Sequence, residues 1–304
     1  MVKDGVLSYN KLVKHTRRLV RRHKVPLHWS RTKNEKFDVH TICVLFVLFQ
    51  IEQKDYRQFA GWLEIAPALG LKNVPHWTTP EKAFKRLPPR LIRQLMQLAG
   101  QCTDRITALD PTYYQLSNPS KGYCRRIGRN PLKDKLRKVT VISTTNTKKV
   151  LDVVITARER HGMKHVPKIN KNVFKNRTTL ADAEFDAESF HQLVTDAGGK
   201  SIVPLRNKDV PIHRTKGKHR KRLKRRGIPR MYRKRVLAES NNSAVKRRFS
   251  SVLRGKMFNQ QKRDVYGKYL AYNLARDCIL CKQRTFYRAI QSKDFINKQH
   301  FCLI

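Results

Sequence analysis

The chain has 304 residues, of which 67 are Lys or Arg and 22 are Asp or Glu, so its formal net charge is +45. Charges of one sign at this density repel one another in a compact protein, which indicates a polyanionic partner, and nucleic acid fits best. Residues 42–49 form the longest apolar run, which is too short to span a bilayer, and residues 1–20 lack the apolar core of a signal peptide, so we expect a cytoplasmic protein with no membrane partner.

Residues 1–100 carry helical patterns and are predicted to form an all-α domain, because the whole chain exceeds the usual size of a single core. Periodic apolar residues predict three helices, at residues 6–23, 40–51 and 55–65. A fourth helix is predicted to begin with Thr78 or Thr79 as its cap and Pro80 in its first turn, and to end before Pro88.

The third and fourth of these helices, joined by a loop, are similar to a helix-turn-helix DNA reader. In that arrangement Lys82, Lys85 and Arg86 would project outward from the fourth helix to contact DNA. The alternative is an ordinary helical bundle with a basic surface, and the residue pattern alone leaves both open.

From residue 101 to the end, the pattern becomes that of an α/β domain. Short apolar and β-branched runs predict five strands, at residues 106–110, 139–143, 150–156, 178–182 and 201–205. Helices are predicted at residues 171–176, 187–197 and 265–281. Three strands, then a strand, a helix, a strand and a helix bearing a carboxylate is the order of a ribonuclease-H-like mixed sheet.

Two aspartates stand at predicted strand ends. Asp110 closes the first strand and Asp182 closes the fourth, and these strands are neighbours in a ribonuclease-H-like sheet. Their carboxylates would then converge, and close carboxylates stay ionised together only around cations. Taken singly, Asp110 could instead cap the turn before Pro111, and Asp182 could form an Asx turn.

A third carboxylate comes from a polar run downstream. If this run is helical, five polar side chains share one face: Tyr232, Arg235, Glu239, Asn242 and Lys246. A carboxylate that binds a cation, beside two cationic side chains that neutralise phosphate oxygens, suits a phosphodiester held near a metal. The alternative is a solvated helix face with an ordinary Arg235–Glu239 ion pair.

The spacing of these side chains resembles the Y-R-E-K signature of prokaryotic insertion-sequence DDE transposases. The signature falls on Tyr232, Arg235, Glu239 and Lys246. The resemblance implies that Tyr232, Arg235 and Lys246 hold the DNA backbone near the cut. It also implies a catalytic, metal-binding trio for Mg²⁺ or Mn²⁺, with two ions expected, formed by Asp110, Asp182 and Glu239.

The resemblance further implies metal-dependent phosphoryl transfer on double-stranded DNA, at terminal inverted repeats and at a target site. Water would attack the phosphodiester at each transposon end, and the freed 3′-OH would then attack target DNA. Both ends must be cut together, so a homodimer in a synaptic complex, associated with the nucleoid, is expected. The alternatives are an inactive or domesticated transposase that only binds DNA, and a ribonuclease-H-fold nuclease that does not join strands.

A dense basic insert, residues 206–235, precedes the Glu239 helix. Half of its positions are Lys or Arg, and Asp209 is its only acid. Gly217 and Gly227 argue against one continuous helix. We expect this insert to clamp DNA, and a flexible solubilising loop is the alternative.

The six cysteines of a cytoplasmic chain are expected to stay reduced. Cys278 and Cys281 form a C-x-x-C, and His300 and Cys302 follow downstream, so a zinc site is one interpretation. The irregular spacing of the second pair favours the other interpretation, a helix that buries Cys278.

Overall fold

The computed structural model describes residues 6–29, 37–71, 74–117, 121–128, 136–157 and 161–280. Within these ranges the α-helices are α1 (Tyr9–Arg22), α2 (Val39–Glu52), α3 (Tyr56–Trp62), α4 (Thr78–Arg86), α5 (Pro89–Ala99), α6 (Lys121–Arg126), α7 (Glu188–Asp196), α8 (Lys218–Arg226), α9 (Val236–Phe249) and α10 (Phe258–Cys278). The strands are β1 (Val6–Leu7), β2 (Ile106–Leu116), β3 (Leu136–Thr144), β4 (Val150–Ile155), β5 (Thr178–Ala181), β6 (Lys200–Ile202), β7 (Val252–Leu253) and β8 (Ile279–Leu280).

The main sheet of the described chain is mixed and has the order β4-β3-β2-β5-β6. Strand β3 is antiparallel to both of its neighbours, whereas β2, β5 and β6 run parallel. The predicted first and fourth strands, β2 and β5, are adjacent, as expected. A sixth strand that the sequence did not predict, β7, pairs with the far end of β2. The architecture is a mixed α/β fold consistent with a ribonuclease-H-like domain.

The prediction that Asp110 ends its strand is wrong, because β2 continues through Pro111 to Leu116. Strand β5 stops at Ala181, opposite Leu109, so β3 alone flanks β2 at the proline. A proline is tolerated in a strand where no second neighbour needs its missing N–H. Asp110 and Pro111 therefore mark the point where β2 loses β5 as a neighbouring strand, and β2 itself continues.

Alternate residues of the strands face two separate apolar clusters. Val141 and Val153 belong to a cluster that also contains the buried faces of α1, α2, α5 and α10, whereas Ile142 and Val154 belong to a second cluster with α7. Strands buried on both faces read as continuous apolar runs, which explains the pattern in the sequence. The helices of residues 1–100 thus share one core with the sheet, and their role as a separate DNA-binding domain stays a prediction.

Helix α4 begins at Thr78, earlier than predicted, because Thr78 and Thr79 lie inside the helix and neither is its cap. The N-cap residue is Trp77, and no side chain caps the helix. Phe84 faces the core, and Lys82, Lys85 and Arg86 are exposed. Residues 63–77 connect α3 to α4, much longer than the turn of about 3–4 residues in a helix-turn-helix motif. DNA recognition by this segment stays a prediction.

Helix α5 was not predicted, because Pro88 and Pro89 were interpreted only as a stop signal. Pro89 is instead the first residue of the new helix, a position where proline costs no hydrogen bond. In the parts of the chain that the structure describes, no helix combines the length and apolar character needed to cross a bilayer. Cys278 is buried at the end of α10, and the other predicted zinc ligands, Cys281, His300 and Cys302, lie outside the described residues.

A fully buried carboxylate ties α5 to the sheet. Asp152 on β4 accepts hydrogen bonds from Arg93 Nε and Nη2 at 2.9 and 2.7 Å, from Gln97 Nε2 at 2.8 Å and from the backbone N–H of Asn170 at 2.8 Å. These contacts give Asp152 a structural role.

Arg93→Ala is expected to lower the free energy of unfolding by about 3 kcal/mol or more, because it leaves the buried Asp152 without its cationic partner. Equilibrium urea unfolding measures this change. Arg90→Ala, at an exposed position of the same helix, is the matched control and should change stability little. Equal effects of the two substitutions would show that the ion pair is not important for stability.

Candidate active site

Strand register brings the first two predicted acids together. Leu109 on β2 pairs with Ala181 on β5, and the next residue along each parallel strand is Asp110 or Asp182. Asp110 is largely buried, whereas Asp182 is partly exposed just past the end of β5. The two carboxylates therefore lie side by side at one end of the sheet.

Helix α9 crosses this end of the sheet. Ala238 packs with Ala108 and Leu180, and Asn241 Nδ2 donates to Ser143 Oγ at 3.2 Å. These contacts fix the helix in rotation, so that Arg235 and Asn242, on the same side of the chain as Glu239, reach Asp110 within β2. The helix supplies the third predicted carboxylate.

Arg235 links two of the three acids directly. Its Nη1 donates to Asp110 Oδ1 at 3.0 Å, and its Nη2 donates to Glu239 Oε1 at 2.7 Å. The Arg235–Glu239 pair is the i,i+4 pair considered in the sequence alternative, but the same guanidinium also reaches the sheet. One positive charge thus joins carboxylates from two distant parts of the chain.

A chain of hydrogen bonds supports Asp110 from the other side. Asn242 Nδ2 donates to Asp110 Oδ2 at 2.9 Å, and Tyr269 Oη donates to Asn242 Oδ1 at 3.3 Å. Tyr114 Oη in turn donates to Tyr269 Oη at 3.2 Å. Asn242 was part of the predicted stripe, whereas Tyr269 and Tyr114 had no signal in the sequence, because their contacts depend on the packing of α10.

The charges of the site act on one another. Burial raises the pKa of Asp110; the hydrogen bond from Asn242 and the charge of Arg235 lower it, and the charges of Glu239 and Asp182 raise it, so that it stays above its usual value. Burial lowers the pKa of Arg235, but the net pKa is raised by Tyr232 and by all three acids. All three predicted carboxylates therefore lie within electrostatic reach of one another.

Replacement of Asn242 by Ala is expected to raise the pKa of Asp110 further, since the lost hydrogen bond favours the ionised carboxylate. A carboxyl ¹³C NMR titration of aspartate-labelled protein measures the change. Ser243→Ala, at the next and exposed position of α9, should leave the titration unchanged. An unchanged Asp110 titration in Asn242→Ala would remove Asn242 from this network.

The prediction of one helix from Tyr232 to Lys246 is wrong in part. Arg230–Arg235 is a 3₁₀ helix, and α9 begins at Val236. Residues three apart are eclipsed in a 3₁₀ helix, so Tyr232 and Arg235 still share a side. Tyr232 Oη donates to the carbonyl of Ala181 at 3.2 Å, next to Asp182.

Two further predicted residues have clear surroundings. Asp182 is the N-cap residue of a 3₁₀ turn, and its Oδ1 accepts a hydrogen bond from the Ala183 N–H at 2.7 Å. This contact is to the next residue and not to the one two positions on, so it is not the Asx turn considered as the alternative. The Lys246 ammonium lies 5.6 Å from the ring centroid of Tyr114. Burial lowers the pKa of Lys246, and the charge of Asp110 raises it. The Lys246 ammonium therefore lies close enough to Asp110 for the two charges to interact.

The basic insert contains an anchored helix. Gly217 and Gly227, both with positive φ, bound α8, in line with the prediction that no single helix spans the insert. Glu188 accepts from the backbone N–H groups of His219 and Arg220 at 2.8 and 3.2 Å. Asp186 accepts two hydrogen bonds from the Arg220 guanidinium at 2.8 and 2.9 Å. Asp186 and Glu188, next to the start of α7, therefore anchor α8.

The donor set suits a hard divalent cation, because three carboxylates offer only oxygen ligands. Across the described residues, no three His, Cys, Asp or Glu side chains form a ready metal-holding group. A guanidinium takes the position of a cation between Asp110 and Glu239. The residue types therefore fit the implied metal, with Arg235 standing in for part of its charge.

A mixed sheet of this order, with acids on adjacent strands and on a following helix, is consistent with a ribonuclease-H-like domain. Residues 101–274 match the family model described as the transposase DDE domain. The chain belongs to this family. Comparison with curated protein sequences gave no significant match.

Proposed function

We propose that this protein is a DNA transposase that cuts at terminal inverted repeats and joins the resulting 3′-OH ends to target DNA. The observation that carries this proposal is the convergence of Asp110, Asp182 and Glu239 around Arg235 within a transposase DDE domain. Each acid comes from a different element, and the sheet register and α9 bring them to one place.

The three carboxylates would hold Mg²⁺ or Mn²⁺, two ions in this proposal. When bound, such ions lower the pKa of an attacking water and neutralise charge on the leaving oxygen. Asn242 keeps Asp110 oriented. Arg235 and Lys246 supply positive charge for phosphate oxygens, and Tyr232, fixed on the Ala181 carbonyl, lies where the DNA backbone would pass.

DNA would extend over the basic surfaces beyond the site. The exposed side of α8 carries Arg222, Arg225 and Arg226, and α4 carries Lys82 and its basic neighbours. Dense positive charge binds the phosphate backbone independently of sequence. In this proposal residues 1–100 contribute recognition of the terminal repeats, and a homodimer holds two DNA ends together.

The proposal is tested with a supercoiled plasmid that carries the gene of this protein with its flanking DNA. With Mg²⁺, purified protein is expected to nick at the two boundaries of the element, and excess EDTA should abolish the nicks. Primer extension locates the cuts to the nucleotide. Nicks spread evenly over the plasmid would favour a nuclease, and DNA binding without any cut would overturn the enzymatic function.

A further inference from the structure

Arg235 occupies a position that a divalent cation bound by Asp110 and Glu239 would need. We propose, on the basis of the function above, that Arg235 keeps the metal site closed in the DNA-free protein and that a DNA phosphate draws its guanidinium away. Metal and DNA would then bind cooperatively. Arg235 is a positioning residue in this account, and its effect is separate from its contribution to DNA affinity.

The contacts of Asp110 show why a cation competes with Arg235. Oδ1 of Asp110 accepts from Arg235 and Oδ2 accepts from Asn242, so both oxygens already have a partner. Glu239 Oε1 accepts a hydrogen bond from Nη2 of the same guanidinium. A divalent ion shared by the two acids would lie against a positive charge at short distance, where repulsion is strong. Binding of the ion therefore requires that Arg235 moves.

The same contacts show that DNA can move Arg235. Glu239 is 51% exposed at its side chain, and an ion pair at such an exposed site contributes little stability. Arg235 itself is 19% exposed and ends a 3₁₀ turn whose residues Arg233 and Lys234 are exposed. A guanidinium pairs with phosphate through two parallel hydrogen bonds at least as well as with a carboxylate. A DNA phosphate at this surface can therefore replace the carboxylates as the partner of Arg235.

Removal of Arg235 from the acids leaves Asp110 and Glu239, next to Asp182, without the guanidinium that pairs with both of them. Close carboxylates favour a bound cation, so phosphate binding by Arg235 raises metal affinity. Linkage requires the reverse as well: metal raises DNA affinity by the same factor. The device would prevent metal-dependent chemistry until a phosphodiester is in place.

The experiment measures Mn²⁺ binding by full-length protein from the EPR signal of free Mn²⁺, with and without a pre-cut duplex of the element end. Binding by the duplex alone is measured separately and subtracted. Wild type is expected to bind Mn²⁺ about 10- to 100-fold more tightly with DNA than without it. Arg235→Gln is expected to bind Mn²⁺ without DNA about as tightly as wild type does with DNA. Arg105→Gln removes the same charge from an exposed position before β2, outside the basic insert, and should behave like wild type.

Equal Mn²⁺ affinity of wild type with and without DNA would overturn the coupling and leave the proposed function intact. So would an Arg235→Gln variant that keeps the weak affinity of the free wild type. No Mn²⁺ binding by any variant with DNA would contradict the proposed function as well. Thermal melting checks the fold, and Arg235→Lys, which keeps the charge but loses the two-pronged contact, should give an intermediate affinity if Arg235→Gln does not fold.

Discussion

Glu239→Gln is expected to reduce DNA cleavage by about 1,000-fold or more, while DNA binding stays close to that of wild type. The substitution keeps the size of the side chain but removes the charge that would hold a metal ion, and about 4 kcal/mol of lost transition-state stabilisation gives this factor. Because the Glu239 side chain is 51% exposed, the fold should tolerate the change. Single-turnover cleavage of an end duplex measures the rate.

A matched control separates this effect from a general loss of negative charge. Asp196→Asn changes an exposed acid at the C-terminal end of α7. This end lies next to the start of β6, at the opposite end of β5 from Asp182, so the variant should cleave like wild type. Asp110→Asn should be as inactive as Glu239→Gln, since the two acids are proposed to act together. If Glu239→Gln retained most of the cleavage rate, the assignment of the third carboxylate would be wrong.

Replacement of three exposed arginines of α8, Arg222, Arg225 and Arg226, by Ala is expected to weaken DNA binding and its dependence on salt. If each side chain contacts one phosphate, the slope of log affinity against log salt concentration becomes shallower by about 3. The anchoring contacts of Asp186 and Glu188 remain, so α8 should keep its place. Fluorescence anisotropy over a range of salt concentrations measures both effects.

The control for this prediction replaces the same number of charges at the other end of the sheet. Lys171 and Lys175 precede β5, and Lys200 begins β6, whereas Asp182 follows the end of β5. All three lysines are exposed. Their replacement by Ala should leave the salt slope nearly unchanged. Equal slopes for the two triple variants would mean that α8 is not a preferred DNA surface.

Much of the α/β fold of residues 101–280 could be predicted from the sequence. Strands with apolar residues on both faces and helices with clear Gly ends gave local signals that depend on few neighbours. The adjacency of β2 and β5 followed from the order of elements. Asp110 and Asp182 were therefore placed together correctly, although the end of β2 was not.

The contacts that shape the site could not be predicted in the same way. Arg235 reaches Asp110 and Tyr269 reaches Asn242 only because α9 and α10 pack in one particular rotation on the sheet. A six-residue 3₁₀ turn and the first turns of an α-helix have nearly the same sequence period, so the break at Val236 was not visible. The ion pair between Arg93 and Asp152 likewise joins α5 to β4, and it depends on how this helix packs on the sheet.

A strand-transfer assay tests most directly the proposal that this protein joins DNA strands. Purified protein is incubated with a pre-cut element end that carries a free 3′-OH, a supercoiled target plasmid and Mg²⁺. We expect covalent joining of the labelled 3′ end to the plasmid, with no product in EDTA or with Glu239→Gln. A wild-type protein that binds both DNAs but never joins the pre-cut end to the plasmid would contradict this proposal.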